Sequence, residues 1–389
     1  MTQNHLLTAP TRNYILGIVS VAILVALVAC GSKQSSSPTS QALPTKTSRP
    51  TFTPLPPTVL SVTATPNSTA TPLPATPTPT PTPTATPDPN VSPLTGQRVD
   101  DPSLLKRRVL AARIGNDPEI RPQEGLGEAD IVYEEIMDGW TVTRFTALYL
   151  DSDAERIRPI RSARLSGLSI VPQYDAAYVH SGASDEIRWR ISQASFVDLD
   201  EYFNPQPYGI LEGYDWRGRM YTSVESIRAY LRQKGLEKDA RIEGYPFDAT
   251  PPTGKVATAI QIPYPQFCVV DWDYDATTGC YLRSAQGVPH LDALTDQQIA
   301  AENVIIFYAE HRATDIVEDS VGSTAIDIIM TGSGRAQVCR DGVVTEGKWV
   351  QSSPDKPILY YNAADELIPL KPGKTWIQLV PLDYDVKIN

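Results

Sequence analysis

Arg156, Arg158, Arg161 and Arg164 fall within nine residues of a chain whose formal charge is −11. Guanidinium groups at this density either grip an external anion in forked hydrogen bonds or neutralise the protein's own carboxylates. His180, Ser181 and Ser184 follow shortly after. If strand 143–150, helix 162–174 and strand 177–180 form one right-handed βαβ unit, the two strands point the same way. The loops after them then meet at the carboxyl edge of the sheet, where such sheets bind ligands. Helix amino ends there add affinity for anions. On this geometry Arg158, Arg161, Arg164, His180, Ser181 and Ser184 line an anion-binding groove. The alternative is internal pairing with Asp130, Glu134, Glu135 and Asp151.

Other constellations are weaker. His180 beside Ser181 or Ser184 suggests a nucleophile and base, but sequence neighbours seldom face one another, and no Gly-x-Ser-x-Gly elbow is present. His180 is expected to close a strand. Asp271, Asp273 and Asp275 resemble a calcium loop superficially. Such a loop needs Gly at its sixth position and Glu at its twelfth, where this chain has Ala276 and Leu282. Alternation with Trp272 and Tyr274 fits a strand with a polar outer face. His290 and Asp292 have no second histidine at metal-ligand spacing. Gly332, Ser333, Gly334 and Arg335 lack the strand-to-helix setting of a phosphate loop and suggest a tight turn. Trp349 and Trp376 are expected in the core. Beyond Cys30 three cysteines remain, Cys268, Cys280 and Cys339. The number is odd, no Cys-x-x-Cys occurs, and no bridge is assigned. No metal and no cofactor is expected.

These groups need elements to hold them. Residues 131–136 and 143–150 are predicted as strands, 177–180 as a short buried strand. Residues 162–174 are predicted as a helix with Leu165, Leu168, Ile170 and Val171 near one face. A second helix opens after Ser184. A third has a capping box at Thr222 and Glu225, with Val224, Ile227 and Leu231 at helical spacing, and stops at Gly235. Past a Pro- and Gly-rich break at 244–254 the pattern turns to strands. A hairpin pairs 266–275 with 280–284. Residues 303–308 suit a central strand, Asp341-Gly342 marks a two-residue hairpin, and 375–380 is a last strand. A short helix is expected from the capping pair Thr295 and Gln298. The fold class is mixed α+β: a first half, 93–245, with an α/β-like mixed sheet and helices, and a second, 255–389, mostly antiparallel β.

The amino-terminal third carries an address. Arg12 precedes an uncharged run, 14–29, that is short of the ~20 apolar residues a spanning helix prefers. Leu27-Val28-Ala29-Cys30 then resembles the bacterial lipobox, so 1–30 reads as a lipoprotein signal with Cys30 as the lipidated residue. Several acyl chains, at about 0.8 kcal/mol per CH₂, make such anchoring nearly permanent. Residues 31–92 are Ser-, Thr- and Pro-rich and cannot bury enough to offset their ordering entropy. As extended polyproline they reach on the order of 150 Å, a disordered tether. Arg12, Lys33, Lys46 and Arg49 against Asp88 leave residues 1–89 at +3, so the remainder carries −14. Nucleic-acid binders carry a basic patch, so nucleic acid is not an expected partner.

Within the body, Pro93-Leu94-Thr95-Gly96, Arg158-Pro159-Ile160-Arg161-Ser162-Ala163-Arg164 and Tyr178-Val179-His180-Ser181-Gly182 form one set of motifs. Pro289-His290-Leu291-Asp292, Gly332-Ser333-Gly334-Arg335-Ala336, Gly347-Lys348-Trp349 and Gly373-Lys374-Thr375-Trp376-Ile377 form another. Across most of 93–380 the chain resembles the YerB-like family of bacterial lipoproteins, a two-part body of no established function. The resemblance implies an extracytoplasmic, membrane-anchored lipoprotein with a two-domain mixed fold, and supplies no catalytic residue. Arg217-Gly218-Arg219-Met220-Tyr221-Thr222 is shorter than the corresponding family segment. Three functions are open on these grounds: a non-catalytic binding or scaffold module for an anionic cell-wall polymer or an envelope protein; an envelope hydrolase or transferase using His180 and nearby carboxylates; and a partner of a membrane complex. A deep cleft of converging titratable groups marks the second, an apolar surface patch the third.

Overall fold

The structure is a computed structural model and describes residues 88–239 and 242–389. Cys30, its signal segment and the tether up to residue 87 lie outside the described residues. Among those described, no helix is long and apolar enough to cross a membrane.

The first half contributes strands β1 (Leu110–Gly115), β2 (Ile131–Ile136), β3 (Thr143–Tyr149), β4 (Ala177–His180) and β5 (Val197–Asp200). Its helices are α1 (Gly167–Ile170), α2 (Asp185–Ser192) and α3 (Val224–Lys234). The second half contributes β6 (Ala259–Ile262), β7 (Val270–Asp275), β8 (Cys280–Ala285), β9 (Asn303–Ala309), β10 (His311–Val317), β11 (Thr324–Ile328), β12 (Gly332–Arg340), β13 (Val343–Gln351), β14 (Leu359–Asn362) and β15 (Thr375–Pro381). The fold is mixed but richer in strand than an even α+β balance.

An eleven-stranded sheet crosses both halves in the order β14–β13–β12–β9–β15–β2–β3–β1–β4–β5, with Lys255–Val256 added against β13. β2, β3, β9 and β15 are buried along their whole length, the mark of strands covered on both faces. The second half is not simply antiparallel, because β9 runs parallel to β15 and β15 parallel to β2. A smaller antiparallel sheet contains β6, β7 and β8. In β7 Trp272 is buried while Asp273 is exposed, as period-2 alternation requires.

The expected βαβ unit does not form. β3 is antiparallel to β1, and β1 is parallel to β4, so β3 and β4 point in opposite directions. The βαβ unit present is β4–α2–β5, whose strands are parallel. Residues 162–166 are not helical, and only Gly167–Ile170, continued by a 3₁₀ turn over Val171–Tyr174, is. The reason lies in the backbone donors: the N–H of Ala163 bonds to the Gly182 carbonyl, so this stretch is tied to another loop. Pro172 interrupts the remainder.

Helix α3 is capped by Ser223, whose hydroxyl accepts from the Ser226 N–H, and not by Thr222. Thr222 instead donates to the Pro207 carbonyl. Gly235 ends the helix with φ 67° as expected. The helix expected at Thr295 is absent: the Asp292 N–H bonds to the Gln297 carbonyl across a turn, and Leu291 bridges Gln298. Asp341 and Gly342 both have positive φ, the conformation of a type I′ hairpin, between β12 and β13. Gly334 serves packing rather than a turn, since a Cβ there would lie 2.6 Å from the Trp349 indole. All three cysteines are free thiols.

Among the described residues two ion pairs have both side chains fully enclosed. Arg283 donates to Glu134 at 2.9 and 3.0 Å, beneath the rings of Phe145, Trp272 and Trp376. Thr143 and the Trp376 indole complete the Glu134 carboxylate. Arg113 meets Glu135 at 2.6 Å. His290 spans Arg283 and Gln123 with its two ring nitrogens, and burial first, then the neighbouring arginines, keep it neutral.

A candidate anion site at the carboxyl ends of three parallel strands

Strands β1, β4 and β5 end side by side at Gly115, His180 and Asp200. Residues 157–164 pass outside these ends as an extended strap. The residue before a proline disfavours helix, which suits Arg158 before Pro159 to this course. Backbone bonds fasten the strap to β1 (Gly115 N–H to Pro159 O, 3.1 Å; Arg161 N–H to Arg113 O, 2.9 Å). Others fasten it to the loop after β4 (Ser181 N–H to Arg161 O, 3.1 Å; Ala163 N–H to Gly182 O, 2.9 Å). The arginine loop and the His180 loop therefore do meet, by a strap and not by a shared strand direction.

The arginines part company there. Arg158 is buried, donates to Glu124 at 2.8 Å, and gives a second bond to the Gly218 carbonyl. Arg156 takes the other oxygen of Glu124 at 2.9 Å. Arg164 is held by Asp138 at 2.6 Å, with Glu318 at 3.6 Å. None of these carboxylates is one that the sequence suggested. Glu134 and Glu135 serve Arg283 and Arg113, Asp130 accepts the Leu150 N–H, and Asp151 accepts from Ser92. Arg161 is different: among the described residues no carboxylate lies within 4.0 Å of it, and its buried Nε has no partner. Its guanidinium lies 5.1 Å from the exposed Trp216 ring, and burial lowers its pKa.

A further arginine was not singled out from sequence. Arg144 on β3 stands opposite Glu135 in register, but Glu135 is taken by Arg113. Arg144 is 4 % exposed, donates one bond to the Ser162 carbonyl, and likewise has no carboxylate within 4.0 Å among the described residues. Burial, then the charges of Arg164, Arg161 and Arg113, push its pKa well below the usual value. The cluster thus sets Arg113, Arg144, Arg161 and Arg164 near Glu135, Asp138 and Glu318, with Asp117, Asp215 and Arg217 acting on Arg161 from further off. Burial raises the Glu318 pKa, against the pull of the neighbouring Arg164. Buried Nε atoms of Arg113, Arg144 and Arg161 have no protein partner among the described residues. Buried polar groups are normally satisfied, by water or ligand where protein does not supply a partner.

His180 does not act on either serine. Its ring is buried, with Nε2 2.7 Å from Asp198 and Nδ1 3.1 Å from the Gly182 carbonyl. Ser181 donates to Glu201. Ser184 precedes α2 at its cap position without making a side-chain cap bond. Asp200 accepts from Gly182 and Tyr202 N–H groups and from Arg188. Burial raises its pKa, but the charge of His180 and these donors outweigh it and bring it below the ordinary value.

The rim is aromatic. Arg158 lies over Tyr214 at 4.2 Å and Arg188 over Tyr202 at 5.0 Å, and Phe203 is also near Arg188. Tyr202, Phe203, Tyr214 and Trp216 are each at least half exposed. The Tyr- and Trp-bearing loop 201–219 was their only signal in sequence.

The domain described as "Protein of unknown function (DUF3048) N-terminal domain" matches residues 94–237, and its C-terminal counterpart matches 260–377. The Bacillus subtilis (strain 168) protein named "Putative lipoprotein YerB" is 29% identical over 307 residues, 75% of this chain and 86% of that protein. The crystal structure of the YerB protein from Bacillus subtilis superposes with a TM-score of 0.66 at 27% identity, covering 76% of this chain and 99% of that one.

Proposed function

The chain belongs to the YerB-like family of paired domains of unknown function, and on that premise we propose that it is a binding module for an anionic polymer of the cell envelope, held to the membrane by lipid at Cys30. The body then faces the extracytoplasmic side on the Ser-, Thr- and Pro-rich segment after Cys30, in keeping with the lipobox residues and the name of its relative. That segment ends before the expected residue 92, because Val91 bridges Arg98 and Ser92 is buried against Asp151. One observation carries the anion: Arg144 and Arg161 are two buried or half-buried guanidinium groups with no carboxylate within 4.0 Å among the described residues. An uncompensated buried charge is costly, and an anionic ligand relieves that cost. Aromatic faces at the rim, Tyr202, Phe203, Tyr214 and Trp216, suit the apolar faces of sugar rings. The ligand class is therefore a glycan or glycan-like polymer bearing carboxylate or phosphate groups. No observation favours a hydrolase or transferase, for both ring nitrogens of His180 are engaged away from Ser181 and Ser184.

The test is co-sedimentation of the full chain, in non-ionic detergent, with purified cell wall. One wall sample keeps its covalently attached anionic polymers and another is stripped of them. Binding that falls about tenfold on stripping, and falls again with Arg161→Gln, supports the reading. Equal binding to both walls by parent and variant sinks it.

A further inference from the structure

A second run of parallel strands, β9, β15 and β2, has its own carboxyl edge. A cavity of about 380 Å³ opens there. Its walls are the segments that directly follow the three strands: Trp140 after β2, Glu310 and His311 after β9, and Leu382, Asp383 and Tyr384 after β15. Trp140 belongs to the N-terminal family domain, while the other six, Pro381 among them, lie in or just beyond the C-terminal one. Neither half forms the cavity alone. The carboxyl edge of parallel strands is the usual ligand crevice of such sheets, and the volume is within the range of small-molecule sites.

The lining has a definite chemistry. Trp140 has φ 54°, next to Gly139 at φ 75°, a conformation that bulky residues rarely adopt and that recurs at ligand clamps. Its ring is partly exposed and stands 6.2 Å from the His311 ring. Tyr384 is half-buried on another wall. His311 Nδ1 faces the Ala309 carbonyl at 3.0 Å and so carries the proton, which leaves Nε2 an acceptor, unpartnered among the described residues. Burial lowers the His311 pKa, so the ring is neutral. Glu310 is occupied by a forked pair with Arg312 at 2.7 and 2.6 Å. Asp383 is exposed and has no ion-pair partner among the described residues. The cavity therefore presents aromatic faces, an unclaimed carboxylate and an apolar Leu382, and its lining holds no cation; His311 Nε2 is buried away from the opening. Aromatic faces attract ammonium groups, and a carboxylate adds to that attraction. An anion would meet Asp383, whose charge no described side chain pairs.

We propose that this cavity binds a small organic cation, a compound carrying a primary or quaternary ammonium group on a short carbon skeleton. None of its lining residues belongs to the arginine cluster, so the two sites stand or fall separately.

The experiment is isothermal titration of the full chain, in maltoside detergent, with choline, n-butylammonium, 3,3-dimethyl-1-butanol and acetate. The alcohol copies the shape of choline's head without its charge. At least one ammonium compound is expected to bind about tenfold more tightly than the alcohol, with no heat from acetate. Asp383→Asn is expected to weaken ammonium binding by about threefold to tenfold with an unchanged melting temperature, and Tyr384→Leu, whose ring also packs on Tyr264, by a similar factor when titrated below its own transition. Asp383 is exposed, so its substitution leaves the fold intact and keeps the test decisive. Equal affinity for the alcohol and the ammonium compounds would overturn the proposal. So would unaltered ammonium binding by both variants, or no ammonium heat up to on the order of 50 mM.

Discussion

Replacing Arg158 and Arg161 separately by alanine discriminates an arginine spent on the fold from one left for a ligand. Arg158→Ala strips one oxygen of Glu124 of its partner, while Arg156, about a third exposed, still holds the other at 2.9 Å. Breaking a buried pair from one side costs about 3–5 kcal/mol when no partner remains. With Arg156 still in place, and the bond to Gly218 lost as well, about 3 kcal/mol is expected. For a body of this size that lowers the melting temperature by about 6 °C, at about 2 °C per kcal/mol. Arg161→Ala loses no ion pair and no side-chain hydrogen bond, and removes one member of a mutually repelling arginine group. Its expected change is within about 1 kcal/mol, or about 2 °C, in either direction. Differential scanning calorimetry of the two variants, with Arg164→Ala beside them as a second paired arginine, reads the difference directly. A fall for Arg161→Ala as large as that for Arg158→Ala would refute the reasoning. Arg161 would then belong to the fold, and the anion site would lose one of its two unpaired cations.

Three further outcomes follow from buried charge and backbone. Burial, then the charge of Asp151, raises Asp130 to a pKa of about 7, above its unfolded value, so the folded state holds the extra proton. Stability is therefore highest below about pH 4 with respect to this group and declines as pH rises to about 7. Asp130→Asn should stabilise the protein by a few kcal/mol at pH 8 and by nothing at pH 4, measured by urea unfolding at both; a pH-independent difference would contradict this. Glu134→Gln leaves Arg283 buried without its carboxylate and should cost about 3–5 kcal/mol by the same assay. Gly342→Ala must hold φ 71° and bring a Cβ to 2.9 Å from the Tyr274 ring, so a loss of more than about 1 kcal/mol is expected, and a neutral result would mean that the turn relaxes.

Where an element is specified by its own residues, it was legible. The Asp341-Gly342 turn, the Gly235 stop of α3 and the alternation of Trp272 with Asp273 depend on local backbone preference or on period-2 burial, and all are present. Caps were less legible, because Thr222 and Ser223 are equally good side chains and only the course of the preceding chain decides which accepts from the helix. The site residues were legible as a group but not in their assignments. Arg158, Arg161 and Arg164 look alike in sequence, yet two meet carboxylates, Glu124 and Asp138, that lie more than twenty residues away, and one meets none among the described residues. Arg144 was legible as part of the family motif Thr143-Arg144-Phe145 but not as a site residue, because an arginine in an apolar strand is ordinarily paired across the sheet, and its cross-strand Glu135 is claimed by Arg113.

The amino-acid sequence by itself determined the family, the acidic body, the lipobox and tether pattern, and the kind of residue crowded between 156 and 184. These are properties of composition and short-range order. Only the tertiary structure decided that β15, near the end of the chain, would pair in parallel with β2 and join both halves in one sheet. It alone decided that the arginine strap would close over β1 and β4, and which guanidinium groups would be left unpaired. The physical reason is that strand partners and buried ion pairs are chosen among groups far apart in the chain. That choice turns on which arrangement covers the most apolar surface while leaving the fewest charges alone, a competition that no single stretch of sequence contains.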